Sequence, residues 1–106
     1  MLATRNLALA DDRLDALCRK WRVRELALFG SVLRDDFRPN SDVDVLVSFE
    51  ELAPWSLWDI LRMREELQSL FGREVDLIER EGLRNPFRKK RILDSCEVIY
   101  AAGKDG

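Results

Sequence analysis

At 106 residues the chain is the length of one domain, residues 1–106, too short for two lobes closing on a substrate within one polypeptide. Its 46% hydrophobic and 36% charged residues describe a globular chain, not a disordered one. The net charge of −2 argues against direct DNA binding by bulk charge, and the absence of histidine removes ordinary zinc sites and every catalytic scheme that needs a histidine base.

In chain order, Leu7, Ala10, Leu14, Leu17, Cys18 and Trp21 recur at helical spacing, which predicts a first helix over 4–21. Arg24 to Phe29 reads as a short apolar strand that stops at Gly30-Ser31. Residues 32–37 have room for one or two helical turns, and Arg38-Pro39-Asn40-Ser41 is turn chemistry. From Asp42 to Phe49 the sequence alternates. Val43, Val45, Val47 and Phe49 point one way; Asp42, Asp44, Leu46 and Ser48 point the other.

A second helix is predicted over 57–71, with Ser56 as N-cap, Asp59 closing a capping box and Gly72 ending it. Trp55 is placed to staple against Ile60, and Leu57, Ile60, Leu61, Leu67, Leu70 and Phe71 form the expected buried stripe. Glu74 to Ile78 reads as a third strand, with Asp76 and Ile78 on one face. Asn85 and Pro86 open a third helix running to about residue 94, and Cys96 to Tyr100 forms a last, edge strand. The expected fold is α+β: a small mixed sheet of about four strands flanked by helices.

Three features carry chemistry. Gly30-Ser31 at a strand end lets the backbone turn and approach an anion closely, with the following amides and a hydroxyl as donors; an ordinary turn is the plain alternative. Asp42 and Asp44, two apart on a strand, project from one face and repel each other unless a cation lies between them; alone they also suit a solvated strand start. Asp76 sits in a short apolar strand, where aspartate is disfavoured. If that strand pairs with the one carrying Asp44, three carboxylates share a face and suit two magnesium-class ions. The reading requires Asp76 on the same side of the sheet as Asp42 and Asp44.

The stretch from Gly30-Ser31 through ten residues to Asp42-Val43-Asp44 resembles the signature of the minimal nucleotidyltransferases, in the DNA polymerase β-like nucleotidyltransferase superfamily. Asp76 matches the later strand aspartate of that pattern, and the resemblance runs to the closing Val98-Ile99-Tyr100. It implies a polymerase β palm-like fold. It also implies Asp42, Asp44 and Asp76 as catalytic residues and ligands of two Mg2+ ions, with Gly30, Ser31, Arg34 and Ser41 on the nucleotide. The implied reaction is attack of a hydroxyl on the α-phosphorus of ATP, with pyrophosphate leaving. Small members resemble the antitoxin half of HEPN-domain toxin–antitoxin pairs and transfer AMP to a tyrosine of the toxin. A cytoplasmic antitoxin with a HEPN-domain partner is therefore the expectation. A non-catalytic antitoxin acting by occlusion and an aminoglycoside-like small-molecule adenylyltransferase are the alternatives. One departure is Asp35, where many members carry glycine.

So short a domain buries a modest fraction of its surface, which favours a site open on one side and completed by a partner or by a second copy in a homo-oligomer. Arg34 is placed either to touch phosphate or to pair with Asp35, Asp36 or Asp42. The run Arg88-Lys89-Lys90-Arg91 reads first as a solvated helix face. Trp58 falls off the apolar stripe, as an interface tryptophan would; packing of Trp55 and Trp58 against the sheet edge is the plain alternative. Cys18 and Cys96 lack metal spacing and read as buried free thiols in a reducing compartment. No apolar run reaches membrane-spanning length, and no signal peptide is expected.

Overall fold

A computed structural model of the chain describes residues 2–3, 8–9, 11–33, 42–51 and 53–102. Two two-residue strands, β1 (Leu2–Ala3) and β2 (Ala8–Leu9), pair antiparallel ahead of helix α1 (Asp11–Lys20). The long first helix expected over 4–21 is thus a shorter one. Leu7 and Ala10 lie outside the described residues, Ala8–Leu9 are strand, and the helix begins at Asp11. The rest of the stripe holds: Leu14, Leu17, Cys18 and Trp21 are buried.

The main sheet has four strands in the order β5-β4-β3-β6. These are β3 (Val23–Phe29), β4 (Val43–Phe49), β5 (Val75–Glu79) and β6 (Glu97–Ala101). β3 pairs antiparallel with both β4 and β6, while β4 and β5 run parallel, so the sheet is mixed as expected. The parallel pair needs a crossover, supplied by α2 (Leu57–Phe71). After β5 a 3-10 turn, Arg80–Gly82, leads into α3 (Pro86–Ser95).

Strand alternation divides the interior in two. Val43, Val45 and Val47 of β4, with Val23, Leu26 and Leu28 of β3, meet Leu14, Leu17, Met63 and Leu67 of α1 and α2. On the opposite face Ala27, Phe29 and Leu46 form a smaller cluster with Ile92 of α3. Val23 and Leu26 reach the same cluster although three residues apart, because a bulge between Val23 and Glu25 takes up the extra residue.

The Ser56–Asp59 capping box forms, with each side chain taking the other residue's backbone N–H. Gly72 ends α2 in the left-handed conformation, φ 69°. Trp55, expected against Ile60, stacks edge-on against Trp21 at 5.1 Å between ring centroids and donates its indole N–H to Trp21 O. The buried face of α2 is Met63, Leu67 and Phe71. Leu57 and Leu61, expected inside, are instead exposed, because they lie about a third of a turn round α2 from the Met63, Leu67 and Phe71 face.

At the far end of the second face, Ser48 is a buried polar residue held from both sides. Arg24 Nη2 donates to its hydroxyl at 2.7 Å, and that hydroxyl donates to Glu81 Oε2 at 2.7 Å. This ties the turn that launches α3 to the sheet. Among the described residues no helix is long and apolar enough to cross a membrane.

Candidate active site

Gly30 follows directly on β3 and opens a 3-10 turn, Gly30–Leu33. Its φ of +77° lies in the region that L side chains avoid. A second constraint acts on it. A Cβ here would run into the Asp44 carboxylate, with Asp44 Cγ only 3.1 Å away. Glycine is thus required both by the turn and by the close seat of Asp44.

Asp44 lies on β4 opposite Phe29, the residue before Gly30. On its other side, Asp44 is the register partner of Asp76 in the parallel β4–β5 pair. Register partners in a ladder present their side chains on the same face, on strands about 4.8 Å apart. Gly30, Asp44 and Asp76 therefore form a row across three neighbouring strands. Asp42 stands two residues before Asp44, at the mouth of β4, and lines one cleft with Asp76. The start of the pair is fixed by Val43 N–H donating to Glu74 O at 2.8 Å. Asp76 thus falls on the side of the sheet that carries Asp44, the placement on which the sequence reading depended.

Asp42 and Asp76 are exposed and Asp44 is half-buried. Among the described residues, no three Asp, Glu, Cys or His side chains gather closely enough to hold a metal ion by themselves. A magnesium-class ion does not need one. It is bound by one or two carboxylates and completes its octahedron with water and substrate phosphate oxygens. The donor set of hard carboxylate oxygens on an open sheet face fits that chemistry.

The Ser31 side chain and residues Arg34, Asp35 and Ser41 lie outside the described residues. Cys18 is no nucleophile: burial, helped by the charge of Asp15, pushes its thiol up to about 12. Cys96 is only partly buried, and both thiols are free. The basic run on α3 is largely solvated, with Lys90 paired to Asp94 at 2.8 Å.

The cleft beside Asp42 and Asp76 encloses about 430 Å³ and continues along the outer side of β5. Val75 and Leu77 line it from the strand; Leu57, Ile60, Leu61 and Arg64 line it from α2. Arg64 Nε donates to Val75 O at 2.9 Å, which anchors the helix to the strand one residue before Asp76. Sequence reasoning missed this wall. Its signal was the pair Leu57 and Leu61, apolar at i and i+4 yet off the Met63–Leu67–Phe71 face of the helix.

Comparison with known proteins agrees with the geometry. Residues 12–99 match the family model of the nucleotidyltransferase domain. The chain is 37% identical over 84 residues to the protein adenylyltransferase MntA of Thermococcus cleftensis, covering 79% of this chain and 80% of the relative. It is 38% identical over 81 residues to a protein of Methanocaldococcus jannaschii provisionally named as a protein adenylyltransferase, covering 76% and 79%. Among solved structures, one provisionally described as a minimal nucleotidyltransferase superposes with a TM-score of 0.67 at 32% identity, covering 82% of this chain and 86% of that one. A toxin–antitoxin structure with AMP-PNP shares the fold at a TM-score of 0.70 and 18% identity, covering 92% and 77%. A glycine turn beside aspartates in register, within a match covering most of the sequence, places this chain in the nucleotidyltransferase-domain family.

Proposed function

We propose that the protein is a magnesium-dependent adenylyltransferase that moves AMP from ATP to a hydroxyl, a tyrosine for preference, on a HEPN-type toxin, and so acts as its antitoxin. The observation that carries the reading is the row of Gly30, Asp44 and Asp76 across β3, β4 and β5, with Asp42 at its mouth. Relatives named as protein adenylyltransferases support the transferred group and the protein acceptor. A toxin–antitoxin neighbour with AMP-PNP supports a nucleotide triphosphate and a toxin partner. Free thiols suit a cytoplasmic setting.

In this reading Asp42 and Asp44 hold Mg2+ ions against the triphosphate, and Asp76 completes the set on the acceptor side. Bound there, the ions neutralise phosphate charge and polarise the phosphoryl oxygens. The backbone of the Gly30 turn, with Ser31, receives the β- and γ-phosphates; Arg34 and Ser41 complete the nucleotide contacts. Asp76 accepts the proton of the attacking hydroxyl. The new O–P bond forms at the α-phosphorus as the bond to pyrophosphate breaks in line with it, and pyrophosphate leaves on the Gly30 side. Positioning and charge stabilisation are enough for this chemistry, which needs no histidine.

The test is incubation with ATP labelled at the α-phosphate, Mg2+ and a HEPN-domain partner protein. Label on the partner that disappears with Asp42→Asn or Asp44→Asn supports the enzyme. A complex that forms with no transfer under any divalent ion would instead make the protein an occluding antitoxin.

A further inference from the structure

The catalytic row leaves the cleft along β5 unexplained. A nucleotide and two ions need the Gly30 side and the open face; they do not need an apolar wall on α2. Yet Leu57 is 71% exposed, Trp58 74% and Leu61 37%, on consecutive turns of one helix. They are three of the five large apolar side chains that the described surface exposes. Contiguous exposed apolar surface of this kind marks an interaction site.

We infer that the groove between α2 and the outer edge of β5 docks the acceptor protein, taking an apolar segment that lies beside its target hydroxyl. The inference rests on the adenylyl-transfer reading above, and three observations commit the groove to that occupant. First, its lining is continuous with the chemistry: the residues that wall it include Asp42 and Asp76 as well as Leu57, Ile60 and Leu61. Whatever fills it stands at the reacting end of the row.

Second, direction agrees. Gly30 lies on the β3 side of Asp44 and Asp76 on the β5 side. In-line displacement puts the entering hydroxyl opposite the departing pyrophosphate. With the pyrophosphate over Gly30, the hydroxyl enters over β5, where the groove opens. Third, the mode of binding is restricted. The edge of β5 is closed to strand addition at Val75, whose C=O takes a bond from Arg64 Nε and whose N–H donates to Gln68 Oε1 at 3.2 Å. The occupant is held by side-chain packing on Leu57, Leu61 and Leu77, which suits a folded protein surface better than a small polar alcohol.

The experiment pairs Leu57→Asp with the double variant Leu57→Asp/Trp58→Ser. Both residues are largely exposed, so the fold is kept, and circular dichroism and melting check it. Three quantities are read for each protein: affinity for a HEPN-domain partner by titration calorimetry, affinity for AMP-PNP with Mg2+, and the rate of AMP transfer to the partner. The expected result is partner affinity weakened at least about tenfold, as when an interface anchor is lost. Transfer at sub-saturating partner falls in step, while AMP-PNP affinity stays within about twofold. Unchanged partner affinity overturns the inference. So does a wild-type protein that does not bind the partner, or variants that alter only self-association of this chain. A wild-type protein that binds the partner but transfers no AMP defeats the adenylyltransferase reading alone, since the groove is still judged by the binding arm.

Discussion

The two faces of the sheet are built from the same strands and obey opposite demands. On the face under α1 and α2, β4 contributes Val43, Val45 and Val47, all sealed from solvent. On the other face the same strand contributes Asp44, Leu46 and Ser48, and only Leu46 joins an apolar cluster. One strand thus carries a core and the proposed reaction surface side by side, kept apart by the two-residue period of the pleat. A site can therefore be charged and self-repelling without loosening the main core, because its cost falls on the face that carries only the smaller cluster.

Substitutions should separate the faces, and the largest effect is expected at the carboxylates. Asp76→Asn keeps the shape of an exposed side chain and removes the charge and, in the proposed mechanism, the proton acceptor. AMP transfer should fall by about a thousandfold, the scale for losing a key electrostatic group. Stability should change by no more than about 0.5 kcal/mol. Radiolabel transfer and a urea melt on the same sample check both halves. A variant that unfolds instead would mean that the reactive face also holds the fold together.

The converse substitution is Met63→Ala. Met63 is fully buried against the valine face, and its truncation should cost about 2–5 kcal/mol. That is a large share of the stability of a domain this size. Below its melting point the variant should transfer AMP at the wild-type rate per folded molecule. Rates normalised to the folded fraction make the comparison.

How much of this division the sequence carried follows from the periods themselves. Period two over 42–49 is unambiguous, so the β4 faces and the side taken by Asp42 and Asp44 were readable. Asp76 and Ile78 repeat the same alternation, and parallel pairing with β4 aligned them. The capping box and the Gly72 stop are local chemistry and were equally plain. The failures share a different cause. A helical period carried back to residue 4 does not state where the helix begins, and Ala8–Leu9 form a strand. Leu57 and Leu61 carry a period as good as that of Met63 and Leu67, but they stand about a third of a turn round the helix, on a flank that borders the cleft beside β5 and is not covered by the sheet. Period fixes which way a residue faces; only topology decides whether anything is there.

Gly30 is where the two demands meet, so Gly30→Ala should register in both measurements. Left-handed backbone costs a non-glycine residue about 1–2 kcal/mol. The added Cβ also needs the space that the Asp44 carboxylate occupies, so Asp44 must move out of the row. Melting and transfer should therefore fall together, unlike either substitution above. An alanine variant with full transfer and a lowered melting point would show that the exact seat of Asp44 is not required.

The smallest effect is expected from acid, and it should enter through the helical layer. Hydrogen bonds from the Ser56 backbone and then its hydroxyl hold Asp59 below the ordinary aspartate value of 3.8. Burial pushes Glu66 upward, but bonds from Lys20 Nζ at 2.7 Å and Trp21 Nε1 at 3.1 Å, with the lysine charge, outweigh it and leave Glu66 below 4.5. Both carboxyls bind their proton more weakly folded than unfolded. Their stabilisation is therefore complete above about pH 4.5, the upper of the two unfolded values, and drains away as pH falls through the lowered native ones. Ser56→Ala keeps the backbone N–H but removes the hydroxyl, which is both the second group lowering Asp59 and the cap on the Asp59 N–H. It should cost about 1 kcal/mol at neutral pH, and less as acid protonates Asp59 in the wild type. Urea melts of both proteins across this range should converge toward low pH. Parallel curves would mean that the Ser56 hydroxyl stabilises the helix without lowering Asp59, and that the acid sensitivity of this layer rests on the Lys20–Glu66 contact between α1 and α2.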